Sequence, residues 1–282
     1  MISELLRLPT GPVDLSSIDT HGKPGFDGKK KHGREALPAM RTSLVDLQEK
    51  LVAQAYADGT DGSRRILLVL QGMDTSGKGG VLSHAVGLFD PSGLKLKSFK
   101  KPTAEELAHD FLWRITQALP GPGEIGIFDR SHYEDVLVVK VHELADAAEI
   151  ERRYDAINTF ERDLAAAGTT IVKCMLHISP ETQKERLLAR LDDPTKQWKF
   201  KPEDVDERGH WAEYQEAYKI ALERCNTDVA PWYVIPSDRK WYRNWAIGSL
   251  LLEALEAMDL DWPPPSYDVA EQRARLEHET AP

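Results

Sequence analysis

Apolar residues in this chain come in short runs, separated by longer stretches in which they recur every three or four positions. Ile66-Leu67-Leu68-Val69-Leu70 is a continuous aliphatic run, short and bounded like a strand covered on both faces. Similar runs recur at Leu94 to Phe99, Ile125 to Phe128, Thr170 to Ile178 and Trp232 to Ile235. Between them Leu107, Phe111, Ile115 and Leu119, and later Ile150, Tyr154, Ile157 and Leu164, keep helical spacing. Leu37, Met40, Leu44, Leu47 and Leu51 alternate steps of three and four, which predicts an amphipathic helix from Leu37. Strands alternating with helices predict an α/β fold, a mostly parallel β-sheet with helices on both faces. No fixed-period repeat interrupts the pattern.

The boundaries follow from the polar stretches. Residues 11 to 36 are rich in Gly, Pro, Asp and Lys and include Gly28-Lys29-Lys30-Lys31-His32-Gly33-Arg34, so residues 1–36 are expected to form an irregular arm. A polar turn over Asp58 to Ser63 leads into the first strand. Ser179-Pro180 opens a helix, Ser as N-cap and Pro at the first helical position. The stripe Trp211, Tyr214, Tyr218 and Leu222 is expected in the core. Pro263-Pro264-Pro265 should end the last helix, which closes one domain over 37–265 and leaves 266–282 as a tail, loose or resting on a partner.

Composition narrows the class. With 282 residues, 41% of them hydrophobic, the chain is neither collagenous, disulfide-rich nor wholly disordered. No apolar run approaches the roughly 20 residues of a bilayer span, and Met1 to Thr10 lack a signal-peptide apolar core, so the cytoplasm is the expected location. Cys174 and Cys225 are expected reduced. There are 36 Lys and Arg against 46 Asp and Glu, a net charge of −10. That balance argues against a nonspecific duplex-DNA binder while leaving room for a locally basic pocket.

Candidate chemistry begins directly after the first strand, at Gly72-Met73-Asp74-Thr75-Ser76-Gly77-Lys78-Gly79-Gly80. The glycines allow positive φ and close backbone approach, so successive N–H groups of this loop can face phosphate oxygens at a helix N-terminus. Lys78 supplies a point charge. The bare G-x-x-x-x-G-K pattern arises by chance roughly once in a dozen such chains; the strand before it and the helix after it are what make it specific. Gly79 stands where a hydroxyl often reaches Mg²⁺, so a metal must find protein oxygens elsewhere, and Asp74 is a source. A second motif, Phe128-Asp129-Arg130-Ser131-His132-Tyr133-Glu134-Asp135, ends an apolar strand with a carboxylate suited to organising Mg²⁺ and an arginine suited to an anion; the alternative is an Asp that caps the next helix. His132 has no partners at zinc-ligand spacing.

A third region is basic. Gln183, Arg186 and Arg190 share one helical face, while Leu187, Leu188 and Leu191 should turn to the core. Lys196, Lys199 and Lys201 alternate with Trp198 and Phe200 in the loop that follows. Either this is a solvated face or it is a lid, about 181–210, that brings cations to a transferring phosphoryl group; the motifs before it favour the lid. Lys100-Lys101-Pro102-Thr103 could touch phosphate or lie solvated at an edge.

Taken together, the glycine loop, Lys101-Pro102-Thr103 with Phe111-Leu112-Trp113-Arg114, and Phe128 through Val138 resemble the polyphosphate kinase 2 family, from about Gly25 to Pro265. The resemblance implies a P-loop kinase related in fold to thymidylate kinase, with a helical lid. It further implies phosphoryl transfer between inorganic polyphosphate and nucleoside di- or monophosphates with Mg²⁺. On the matched positions, Asp74, Lys78, Asp129 and Arg130 would be catalytic, with Asp74 and Asp129 on the metal. Gly72, Thr75, Ser76, Gly77, Gly79, Gly80, Glu134, Arg186 and Arg190 would bind phosphate or nucleotide. Gly79 is at home in that family. Met73 resembles the branch that accepts both AMP and ADP, whereas Gly79 is shared with the other branches.

Implied partners are polyphosphate and adenine, or guanine, nucleotides, with no nucleic acid and no membrane, and relatives commonly form dimers or tetramers. Neither phosphate motif offers an obvious histidine nucleophile, so direct in-line transfer is expected. Rival readings are an ATP-dependent nucleotide kinase of the same fold, a noncatalytic phosphate-binding domain, and a nucleic-acid kinase.

Overall fold

Five strands form where the short apolar runs stand: β1 Arg65–Gln71, β2 Leu94–Ser98, β3 Ile125–Asp129, β4 Thr169–His177 and β5 Trp232–Pro236. In this computed structural model, which describes residues 1–58 and 64–279, they pair in the order β2-β3-β1-β4-β5, each neighbouring pair parallel. The turn expected over Asp58 to Ser63 lies, beyond Asp58, outside the described residues, as does the end of the tail. The central strand explains its composition. Leu67 and Val69 enter one apolar cluster, and Ile66, Leu68 and Leu70 enter another on the opposite face, so both faces are covered and no polar alternation is needed.

The helices are α1 Ile2–Leu6, α2 Lys30–Ala39, α3 Arg41–Asp58, α4 Lys78–His84, α5 Ala104–Leu107, α6 Trp113–Gln117, α7 Val138–Val141, α8 Ala147–Ala166, α9 Pro180–Asp192, α10 Glu203–Gly209, α11 Trp211–Arg224, α12 Lys240–Glu256 and α13 Val269–His278. Several depart from expectation. The N-terminal arm is partly helical, and the helix expected from Leu37 is two, broken at Met40, two residues after Pro38. The stripe itself holds, with Leu37, Leu44 and Leu51 buried.

Leu107 to Leu119 is not one helix but the two short helices α5 and α6, and Leu107 is exposed. Leu187 is buried on α9, whereas Leu188 and Leu191 are 50% and 42% exposed rather than core. The helix α12 stops at Glu256, before the prolines, and the tail forms α13. Ser179 caps α9 as its position suggests, accepting from the Thr182 amide. Cys174 and Cys225 are buried and unbonded to each other. No helix among the described residues is long and apolar enough to cross a membrane.

Candidate active site

Both phosphate motifs occupy the carboxyl ends of adjacent parallel strands, where open α/β sheets gather ligands. The glycine loop joins β1 to α4, and Asp129 ends β3, hydrogen-bonded beside β1, with Arg130 directly after it. The loop turns tightly: Gly72 and Gly77 have φ of 149° and 108°, conformations open to glycine. Two residues without that freedom also take positive φ, Thr75 at 63° and Arg130 at 65°. Such strain concentrates at functional turns.

Asp74 and Arg130 meet there, Arg130 Nη2 donating to Asp74 Oδ1 at 2.9 Å. Burial alone would raise the Asp74 carboxyl, but Lys78 and Arg130 outweigh it and hold it below its ordinary value. For Arg130 burial opposes the charge, and Glu134 and Asp74 more than restore it, so its pKa is raised. Burial lowers Lys78, with Arg130 acting in the same sense, and the Lys78 ammonium donates to Gly72 O at 2.7 Å.

A cavity of about 1140 Å³ opens over the loop and is lined by eleven Lys and Arg side chains against two carboxylates, Asp74 and Asp129. In a chain of net charge −10, that concentration of cations marks a polyanion site. Thr75, Gly77, Lys78, Gly79, Gly80, Arg130, Arg186 and Arg190 line it, as do Lys100, Lys101 and the three lysines of the loop after α9. Gly72 and Glu134 instead line a second cavity of about 240 Å³ beyond Asp74, with Met73, Leu137, Val138, Tyr214 and Tyr218. Burial pushes the Glu134 carboxyl up, although Arg130 and Lys78 pull it back. Tyr214 and Tyr218 are buried as the stripe predicts and also face this cavity.

Some expected residues serve differently. Ser76 is fully buried and lines neither cavity; its carbonyl accepts from Arg186 at 3.1 Å and from Arg243 at 2.9 Å. Arg186 spends its guanidinium on four carbonyls, Thr75, Ser76, Ser237 and Asp238, which ties α9 to the loop and to the end of β5. Arg190 reaches Asp204 of α10 at 3.4 Å. His132 turns away from both cavities, fully buried with Nε2 facing Glu161 Oε1 at 3.2 Å. Ser131, not Asp129, caps the turn after β3.

Arg243 of α12 went unforeseen. It is 2% exposed, lies beneath the glycine loop, and fills the space that a Cβ on Gly77 would occupy, 1.7 Å from Nη1. Burial, then Arg186, brings its pKa down to about 9. Its signal was a Lys240, Arg243 pair one turn apart at the start of the last long helix, far in sequence from either motif.

Asp74 and Asp129 are the carboxylates available to a metal in the first cavity, and no cluster of three or more His, Cys, Asp or Glu suited to a metal occurs among the described residues. Asp129 is bonded only weakly, by Ser98 Oγ at 3.3 Å. Two carboxylates with the remaining positions left to phosphate oxygens and water is a donor set that fits Mg²⁺.

Comparison with known proteins agrees with this geometry. Residues 28–263 match the family described as polyphosphate kinase 2. The AMP/ADP-polyphosphate phosphotransferase of Meiothermus ruber is 44% identical over 91% of this chain and 94% of its own. The ADP-polyphosphate phosphotransferase of Rhodopseudomonas palustris is 38% identical over 89% of this chain and 88% of its own. The crystal structure of polyphosphate kinase 2 from Arthrobacter aurescens is 50% identical and superposes with a TM-score of 0.95, covering 99% of this chain and 97% of that one.

Proposed function

The chain belongs to the polyphosphate kinase 2 family, and from that membership we propose that it transfers phosphoryl groups between inorganic polyphosphate and adenine nucleotides, taking both AMP and ADP as acceptors. One observation carries the reading: the cation-lined cavity and the smaller, partly apolar one share, besides Lys201 of the loop after α9, the side chains of Asp74 and Arg130. A polyanion in the first and a nucleotide in the second would bring their reacting phosphates together at those two side chains. Met73, Leu137 and Val138 give a base an apolar wall, and Tyr214 and Tyr218 give it aromatic rings.

An acceptor phosphate oxygen attacks the terminal phosphorus of polyphosphate in line; the bridging P–O bond breaks, and the shortened polymer leaves with the electron pair. The acceptor is already a competent nucleophile, so the protein has positioning and charge neutralisation to supply. Lys78 and Arg130 meet the charge on the transferring group, and the lysines after α9 close over the polymer and exclude water. Asp74 and Asp129 would hold Mg²⁺, which neutralises charge on the phosphate oxygens when bound. His132, buried against Glu161, is out of reach of either substrate, which supports transfer without a phosphoenzyme. The same reading takes the family's Mg²⁺ requirement, a cytoplasmic location and a homo-oligomer as working expectations, with guanine nucleotides as further acceptors.

The test supplies purified protein with Mg²⁺, long-chain polyphosphate and, separately, AMP, ADP, GMP and GDP, and resolves products by anion exchange. ATP from ADP and ADP from AMP are expected. Transfer from ATP but none from polyphosphate would leave the fold and overturn the donor.

A further inference from the structure

We propose that the first turn of α2 carries the part of a long polyphosphate chain that lies outside the catalytic cavity, an inference that rests on the functional reading above. From Lys29 to Arg34 the sequence holds four cations and no acid. Lys29, Lys30 and Arg34 are exposed and form no ion pair among the described residues; Lys31 has one long contact, to Glu35 at 3.9 Å. A run of charge is ordinarily a solvated helix face. Its placement sets this one apart.

Two aromatic contacts pin the segment from either side. Phe26 packs edge-on against Trp241 and Trp245, with ring centroids 5.1 and 4.7 Å apart. Gly33 lies so close to Trp241 that a Cβ there would stand 2.1 Å from the ring. Lys29 to Lys31 are thereby held against the first turn of α12, where Lys240 lines the cavity. Burial, then Arg186, Arg243, Lys196 and Lys30, all depress the Lys240 ammonium. Cations from the lid, α12 and α2 thus crowd one rim, Lys196 paired with Asp193 at 2.5 Å and Lys30 in no ion pair among the described residues, and Lys30 and Arg34, one helical turn apart, continue the line outward. A long polyanion leaving the cavity on an acidic protein is drawn to exposed cations at its rim, and this stretch adjoins the rim at Lys240.

The K29Q/K30Q/R34Q variant changes exposed side chains only and tests the proposal. Direct binding of end-labelled long-chain polyphosphate and of tripolyphosphate is measured for wild type and variant, alongside KM for each donor. Long-chain affinity is expected to fall by about 5- to 10-fold at low salt, while tripolyphosphate affinity, kcat and the KM for ADP stay as in wild type. Unchanged long-chain affinity, an equal loss for tripolyphosphate, or single-stranded RNA competing as well as polyphosphate would each overturn it. Because binding is read directly, the comparison decides the matter even in a protein that transfers nothing from polyphosphate, which is the result that defeats the functional reading.

Discussion

Asp74 is the one carboxylate that lines both cavities, and its neighbours keep it ionised: burial is opposed by Lys78 and Arg130, and the balance favours the carboxylate. Asp74→Asn keeps the size and the Arg130 contact while removing the charge. Its kcat is expected to fall by about 100-fold or more, comparable to loss of one preorganised electrostatic group, with an unchanged circular dichroism spectrum and thermal midpoint. A folded variant with near-normal turnover would sink the role. Asp74, Lys78, Asp129 and Arg130 were legible because each lies in a contiguous motif at the end of a readable strand. Arg243 and Lys240 were not, since nothing in local spacing says that the start of α12 passes beneath a loop some 160 residues earlier.

At the scale of elements, the turn after β3 is held from behind. Lys173 of β4 donates to Glu161 Oε2 of α8 at 2.5 Å, to Tyr133 Oη at 2.8 Å and to Cys225 O at 2.7 Å, and Tyr133 Oη donates to Glu161 Oε1 at 2.8 Å. Glu161 and Lys173 are essentially unexposed, so losing one partner strands a buried charge. Burial would raise Glu161, but Lys173 and His132 outweigh it and hold its carboxyl below the ordinary 4.5. A carboxyl held low in the folded state contributes stability above its ordinary pKa and loses it as pH falls through the lower native value. The urea midpoint is therefore expected to drop as pH falls from about 5 to 3. Glu161→Gln should be less stable at neutral pH and show a shallower fall over the same interval; an identical slope in both proteins would refute the assignment. Helical periodicity placed Glu161 on a helix, yet its partner lies on another element, which periodicity cannot reveal.

Over the whole molecule, charge is segregated. The net is −10, yet one cavity is lined by eleven cations and two carboxylates. Binding a polyanion there releases counter-ions from it, so raising salt from about 50 to 200 mM should raise KM for polyphosphate much more steeply than KM for ADP, by the logic that governs nucleic-acid binding. Equal salt slopes would mean that the cavity does not take the polymer.

The sequence by itself determined the class of fold and the chemical theme. The central strand was readable because a strand buried on both faces must be apolar throughout, and the loop was readable because tight turns facing phosphate need glycine at set places. Only the tertiary structure decided which cations face the substrate. It turned Arg186 onto backbone carbonyls, left Leu188 and Leu191 exposed, broke the helix at Met40 and brought Arg243 under the loop. Hydrophobic period records which face of an element is covered. It carries no information on which distant element does the covering, and the partners of a long charged side chain depend on that.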